Sequence, residues 1–323
     1  MAERPQSRLA SDRGAEVPEE AGEPLYGALE GGGTKTLCAV GYSPDHVLER
    51  VFLPTTDPDS TFERAIEFFS AAQRHRGNLA ALGIAFFGPL ELRADRPAYG
   101  RLLDTPKPGW SGADVLGPLK RHVCSHVAID TDVAAAALAE WRLGSGRGLA
   151  SIAYVTVGTG IGVGFAPDPL RALRLCHPEA GHLRVRRAAG DDFAGVCPFH
   201  GDCLEGLSSG PAIRARWGHE LSALPENHAA CHIIGGYLGQ LAASIALLVP
   251  VERIVFGGGV MGDGRLLPAI REAARECLGG YIRQLNDIAA MESYICSPAL
   301  GDQAGVAGAF LLAKDAGTRC RTG

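Results

Sequence analysis

The sequence lacks three features that would classify it at once. It has no apolar run long enough to cross a bilayer: the longest, around LAASIALLVP (Leu241–Pro250), is too short and follows no basic leader, so a soluble, unexported, cytoplasmic chain is expected. It has no excess of one charge. Its 31 Lys and Arg against 36 Asp and Glu give a net charge of −5, well mixed, so neither a nucleic-acid nor a membrane partner is implied. It also has no even set of cysteines. Seven of the nine (Cys38, Cys124, Cys176, Cys231, Cys277, Cys296, Cys320) stand apart in apolar or terminal segments, which suits buried thiols in a reducing compartment better than disulfides.

What is present is ample material for a core. With 323 residues, 46% of them hydrophobic, the chain is too long for one small core and suits two ordinary domains. Residues 1–24, rich in Glu, Arg and Pro and without an aromatic, are expected to be a disordered tail.

From Leu25 the segment LYGALE-GGGTKT-LCAVGY reads as strand, glycine turn, strand, and SIAYVTV-GTGIG-VGFA (Ser151–Ala166) repeats the plan. Between them lie a helical pattern (TFERAIEFFSAAQRH), a buried strand (LAALGIAFFG), a Pro-rich loop, a helix over about 113–122, the strand HVAID and an alanine-rich helix over about 133–143. Later come a strand ending in glycines (RIVFGGGVMGDG), the helix RLLPAIREAARECL, a last strand in ESYICSPA and a final apolar helix. Alternating strands and helices define an α/β class, and two matching hairpins imply a duplicated domain.

The glycine turns suit phosphate. In EGGGTKT, backbone N–H groups can approach an anion, Thr34 and Lys35 add a hydroxyl and a cation, and Glu30 can hold a metal through water. Neither a P-loop nor a dinucleotide fingerprint fits, because both turns lead into strands. With FGGGVMG as a third cluster, the pattern implies one nucleotide held between two halves. In AIDTDVAAAALAE, Asp130 ends a strand and Asp132 opens a helix with Thr131 as candidate N-cap. Two readings stand: the aspartates cap the helix, or Asp132 is a general base kept ionised near the helix N-terminus.

Taken together these segments resemble the sugar kinases of the ROK family, most closely its bacterial fructokinase branch, from Leu25 to about Lys314. EGGGTKT is similar to the first phosphate motif, VGTGIGVG to the second and FGGGVMG to the adenosine-side motif. IDTDVAAAALAE is similar to the catalytic segment, HPEAGH to the sugar motif and CPFHGDCLEG to the zinc signature, while FFGP, TPKPGW and LGDQAG are similar to further family segments.

The resemblance implies an actin-like (ribonuclease H-like) ATPase fold in two domains with a central cleft: residues 25–131, then 132–301, with a final helix over about 302–316 packing back on the first. It implies ATP and Mg²⁺, with Gly32, Gly33, Thr34, Lys35, Gly158, Thr159, Gly160, Gly257, Gly258 and Gly259 on the nucleotide. Asp132 would be the base, and Thr131, Glu179, His182 and Glu205 would hold a hexose. Glu30 stands where most relatives carry Asp, and Thr131 and Ala134 where many carry Asn.

Cys197, His200 and Cys203 are spaced so that a tight loop can bend round one ion, and His182, fifteen residues before Cys197, completes a Cys2His2 set in loop 182–203, with His177 as a rival ligand. Four protein ligands would make the Zn²⁺ structural. The implied activity is ATP-dependent phosphorylation of D-fructose to fructose 6-phosphate by a homodimer. Mannose, glucose and N-acetylhexosamines are alternative substrates, and a non-catalytic sugar-binding protein is a more distant alternative. The repressors of the same family carry a helix-turn-helix domain, for which a 24-residue polar leader is too short.

Overall fold

The structure is a computed structural model that describes residues 23–168 and 178–321. The expected tail, apart from its last two residues, and the positions Cys176 and His177 lie outside the described residues.

The first hairpin forms as read: β1 (Tyr26–Gly31) turns through Gly32–Thr34 into β2 (Lys35–Ser43), antiparallel, with Glu30 opposite Leu37. An additional strand, β3 (His46–Pro54), extends the edge beside β2. Its polar, alternately exposed sequence carries no run of buried residues, which is why its signal is weak. Helix α1 (Pro58–Arg76) opens on an Asp57 cap and is followed by β4 (Ala81–Phe86), α2 (Leu116–His122), β5 (Val127–Thr131) and α3 (Asp132–Arg142). The sheet order is β3-β2-β1-β4-β5, with β1, β4 and β5 parallel. In that register Gly31 lies beside Phe86 and Phe86 beside Thr131, so the motifs share the carboxyl edge of the sheet, where ligands of open α/β sheets bind.

The second half repeats the wiring. Strands β6 (Ile152–Val157) and β7 (Ile161–Ala166) form the hairpin, and β8 (Arg253–Gly257) and β9 (Ile295–Cys296) add parallel neighbours in the order β7-β6-β8-β9. Its helices are α4 (Leu204–Ser208), α5 (Gly210–Trp217), α6 (Ala229–Leu248), α7 (Leu267–Leu278) and α8 (Ile288–Tyr294). Two readings need correction here. The last strand is two residues long, because Asp287 caps α8 by accepting the Ala290 N–H and the chain stays helical to Tyr294. The apolar run at Leu241 is the end of a 20-residue helix that by length and composition could cross a membrane; half of it is instead buried in this core, through residues such as Ile234, Leu238 and Ile245.

The final helix, α9 (Ala304–Arg321), lies against β1, β4 and β5 and crosses α3. Ala135 of α3 joins Val306, Ala309 and Phe310 of α9 in one core, while Val133, Ala136 and Ala137 of α3 face Ile152, Tyr154 and Val255 of the second sheet. Helix α3 is therefore shared between the two halves. The α3–α9 approach is backbone-close: a Cβ on Gly308 would sit 2.0 Å from the Ala135 carbonyl oxygen, which only glycine avoids.

The far end of α3 is locked by Glu140. This fully buried carboxylate accepts N–H groups from Ser145 (2.7 Å), Ala299 (3.1 Å) and Leu300 (2.8 Å), fixing the segment that leads into α9. Glu140→Ala would remove the acceptor of three part-buried backbone donors. It is expected to lower unfolding free energy by about 2 kcal/mol; an unchanged urea midpoint would refute the lock.

Candidate active site

A cleft of about 660 Å³ opens where the two sheets face each other. The three glycine turns reach it: Gly32, Thr34 and Lys35 from the first, Gly158 and Thr159 from the second, and Gly258 and Gly259 from the third all line it. Gly33, Gly160 and Gly257 sit in the same turns but do not line it. Gly160 backs onto the Glu205 carboxylate and Gly257 onto the Tyr154 hydroxyl, each too close for a Cβ. Gly258 adopts φ +92°, against the Val157 backbone, so the third turn requires glycine at that point.

The cleft also takes residues that motif reading passed over. Helix α5 starts on the second turn, its Gly210 N–H donating to the Gly158 carbonyl at 2.8 Å, and contributes Pro211, Ile213 and Arg214. Glu220 to Ser222, Asp263 and Arg265 complete that end; Arg265 donates to the Leu221 and Leu224 carbonyls at 3.2 and 2.8 Å. The Ser-Gly-Pro start of α5, a cap with Pro in the first turn, was the sequence signal available for it.

At the opposite end, carboxylates crowd. Glu30, Asp132 and Asp302 line the cleft with Lys35 as cation. Burial, then the charges of Asp132 and Asp302, push Glu30 up to about 7, against the pull of Lys35 and the Val306 N–H at the start of α9. Burial pushes Asp132 up to about 6, although its Oδ1 accepts the Val133 N–H at 2.8 Å. The two readings of the IDTD segment separate here. Thr131, itself buried, caps α3 by accepting the Ala134 N–H at 3.2 Å, and Asp130 accepts the Thr131 N–H at 2.9 Å. Asp132 stands at the first helical position facing the cleft. Asp130 and Ala134 instead line a second cavity of about 490 Å³, with Tyr99, Phe165 and Pro178.

The other anticipated residues gather beside the second turn. Glu205 accepts the Ile161 N–H at 2.9 Å, and the 3-10 turn Ala180–His182 packs so closely on β7 that a Cβ on Gly181 would lie 2.1 Å from the Ile161 carbonyl. Glu179 follows directly on Pro178; desolvation and then Glu205 raise its carboxyl, while His182 lowers it.

Four ligand atoms converge close by. The Nδ1 of His182 lies 3.7 Å from Cys197 Sγ, 3.6 Å from Cys203 Sγ and 3.3 Å from His200 Nδ1, and His200 Nδ1 is 3.7 Å from Cys197 Sγ. Tetrahedral bonds to one zinc ion would place two nitrogens about 3.3 Å apart and a nitrogen and a sulfur about 3.5 Å apart. The set therefore fits such an ion. Of the lone cysteines, Cys38 is buried as expected but Cys277 is exposed.

Two sheets of matching topology around a polar cleft define the class: an actin-like ATPase fold. The ROK family profile matches residues 26–316, and the chain belongs to that family. It is 43% identical to a fructokinase of Zymomonas mobilis over 293 residues, covering 90% of this chain and 96% of that one. It is 38% identical to a putative fructokinase of Bacillus subtilis over 294 residues, again 90% and 96% of the two chains. The crystal structure of a ROK hexokinase from Thermus thermophilus superposes with a TM-score of 0.64 at 25% identity, covering 93% of this chain and all of that one.

The crowded carboxylates carry a pH signature. Glu30 binds its proton more tightly in the folded chain than unfolded, so its contribution to stability is present below about pH 4.5 and is lost as pH rises through 7. Glu30→Gln is expected to stabilise the nucleotide-free protein at pH 8 by on the order of 2 kcal/mol and to change little at pH 4. Urea unfolding at the two pH values checks this; equal effects at both would contradict it.

Proposed function

We propose that this chain is an ATP-dependent hexose kinase that phosphorylates D-fructose to fructose 6-phosphate. The observation that carries the reading is Asp132, a buried carboxylate at the start of α3 that lines the same cleft as three glycine turns. Similarity to fructokinases over nine-tenths of the chain supports fructose as the hexose.

In this reading ATP lies between the two halves. Its phosphates meet the turns at Gly32–Lys35 and Gly158–Gly160, and its nucleoside meets the turn at Gly257–Gly259. Mg²⁺, when bound, neutralises phosphate charge, and Glu30 and Asp302 are the residues that would hold its hydration shell. Asp132 accepts the proton of the sugar 6-hydroxyl as that oxygen bonds to the γ-phosphorus and the bond to the ADP oxygen breaks. A pKa near 6 leaves the carboxylate ionised at neutral pH while keeping it a useful base. Lys35 balances the charge gathering on the phosphoryl oxygens.

Glu179, His182 and Glu205 hold the sugar hydroxyls, where a misplaced hydroxyl would leave a buried acceptor unpaired; Thr131, expected beside them, is buried with its hydroxyl capping α3 and so serves the site by fixing Asp132. His182, Cys197, His200 and Cys203 hold a structural Zn²⁺. Burial pushes the Cys203 thiol up to about 11, so the ion must displace its proton to bind. With all four positions taken by protein, the ion has no site for a reactive water; it shapes the loop that carries Glu179 and Glu205. We place the enzyme in the cytoplasm as a homodimer of two lobes, residues 25–131 with the final helix, and residues 132–301.

Asp132→Asn should retain fructose binding and zinc while losing about 10³-fold in turnover, read in a coupled ADP assay across fructose, mannose, glucose and N-acetylated hexoses. Undiminished turnover would remove Asp132 as the base, and a faster rate with another hexose would remove fructose as the substrate. Cys203→Ser is expected to lower bound zinc from about one ion per chain to near zero by elemental analysis; full retention would rule out the Cys2His2 site.

A further inference from the structure

The segment TPKPGW (Thr105–Trp110) brings a cation to the first glycine turn from outside the cleft. Lys107 Nζ donates to the Gly33 carbonyl at 2.5 Å and to the Thr55 carbonyl at 3.4 Å, and its ammonium sits 5.7 and 5.9 Å from the ring centroids of Trp110 and Phe87. Among the described residues no carboxylate lies within ion-pair distance of it. Gly32, Thr34 and Lys35 line the cleft; Gly33 and Lys107 do not. The ammonium therefore meets the turn on a face that the nucleotide would not occupy.

That placement has an electrical consequence. The Gly33 carbonyl and the Thr34 N–H belong to one peptide group, and Thr34 is at the cleft wall. A cation on the carbonyl oxygen polarises the peptide and makes its N–H a stronger donor to an anion. The same contact keeps the carbonyl away from the cleft, where it would repel phosphate.

The anchorage is rigid at the other end. Trp110 is fully buried and its Nε1–H donates to the Thr56 carbonyl at 2.7 Å, while the Thr34 carbonyl accepts the Thr55 N–H at 3.0 Å and the buried Thr36 and Thr55 hydroxyls lie 2.8 Å apart. The loop, the turn and the end of β3 thus form one braced unit around Lys107.

We propose that Lys107 is a positioning residue for phosphoryl transfer: it fixes and polarises the Gly33–Thr34 peptide so that the Thr34 N–H serves the transferred phosphoryl group. This rests on the assignment of the first glycine turn to the ATP phosphates.

The test uses the full chain with Lys107→Met, which keeps an unbranched apolar stem over Trp110 and Phe87, and Lys107→Arg, which restores a cation. Calorimetry measures adenosine and the non-hydrolysable analogue AMP-PNP, and the coupled assay measures kcat and KM for ATP and fructose. For Lys107→Met, kcat should fall about 10²-fold, the lower end of what loss of one oxyanion donor costs. Its affinity for AMP-PNP should fall while affinity for adenosine and the KM for fructose hold, and Lys107→Arg should recover part of the loss. An unchanged kcat, or an equal loss of adenosine and AMP-PNP affinity, would overturn the proposal, the latter pointing to a merely structural brace. If the unaltered protein binds AMP-PNP no better than adenosine, it is the phosphate assignment of the turn that fails.

Discussion

The backbone-close crossing of α3 and α9 is the contact on which the arrangement turns. Each helix packs on the first sheet with one face, and α3 packs on the second sheet with another. Small residues make the crossing possible: Ala135 and Ala139 on one helix, Ala307 and Gly308 on the other. A larger side chain at the crossing would separate the sheets, and the cleft between them would lose its shape.

Function and stability meet at the same helix ends. The first residue of α3 is Asp132, and the start of α9 gives the Val306 N–H to Glu30 and leaves room at Gly305 for its carboxyl group. Burying carboxylates together costs stability in the empty protein, as the raised values of Glu30 and Asp132 indicate. The same crowding leaves Glu30 and Asp132 titrating close to neutrality. Glu140, two turns along α3, returns stability by satisfying the Ser145 N–H after α3 and two backbone donors, Ala299 and Leu300, of the segment that enters α9.

The Cys/His loop obeys a similar logic in a region with little regular structure. Between β7 and α4 the described chain forms a 3-10 turn and one isolated bridge, Cys197 with Gly201, so no extended sheet or helix holds it. Four side chains drawn to within 4.8 Å of one another take that role, beside the second glycine turn that Glu205 also grips. Ion pairs add to it: Asp191, buried, bonds Arg216 at 2.8 Å and the Tyr237 hydroxyl, tying the loop to α5 and α6. Since α5 lines the cleft, the loop and the cleft wall are mechanically joined.

The sequence by itself determined the alternation of strands and helices, the two hairpins, the glycine turns, the Thr131 cap and the Cys/His spacing. All of these are local: propensity, turn chemistry and capping act over a few residues. It left β3, the two-residue β9 and the full length of α6 obscure, because an edge strand has no apolar run and a strand neighbour exists only when a partner is present. Tertiary structure alone decided that Asp132 faces the cleft while Asp130 faces another cavity, that α5, Glu220 and Arg265 close the far end of the cleft, and that Lys107 reaches Gly33 across 74 residues. Those facts depend on which elements pack side by side, a long-range outcome of burial that no short stretch of sequence contains.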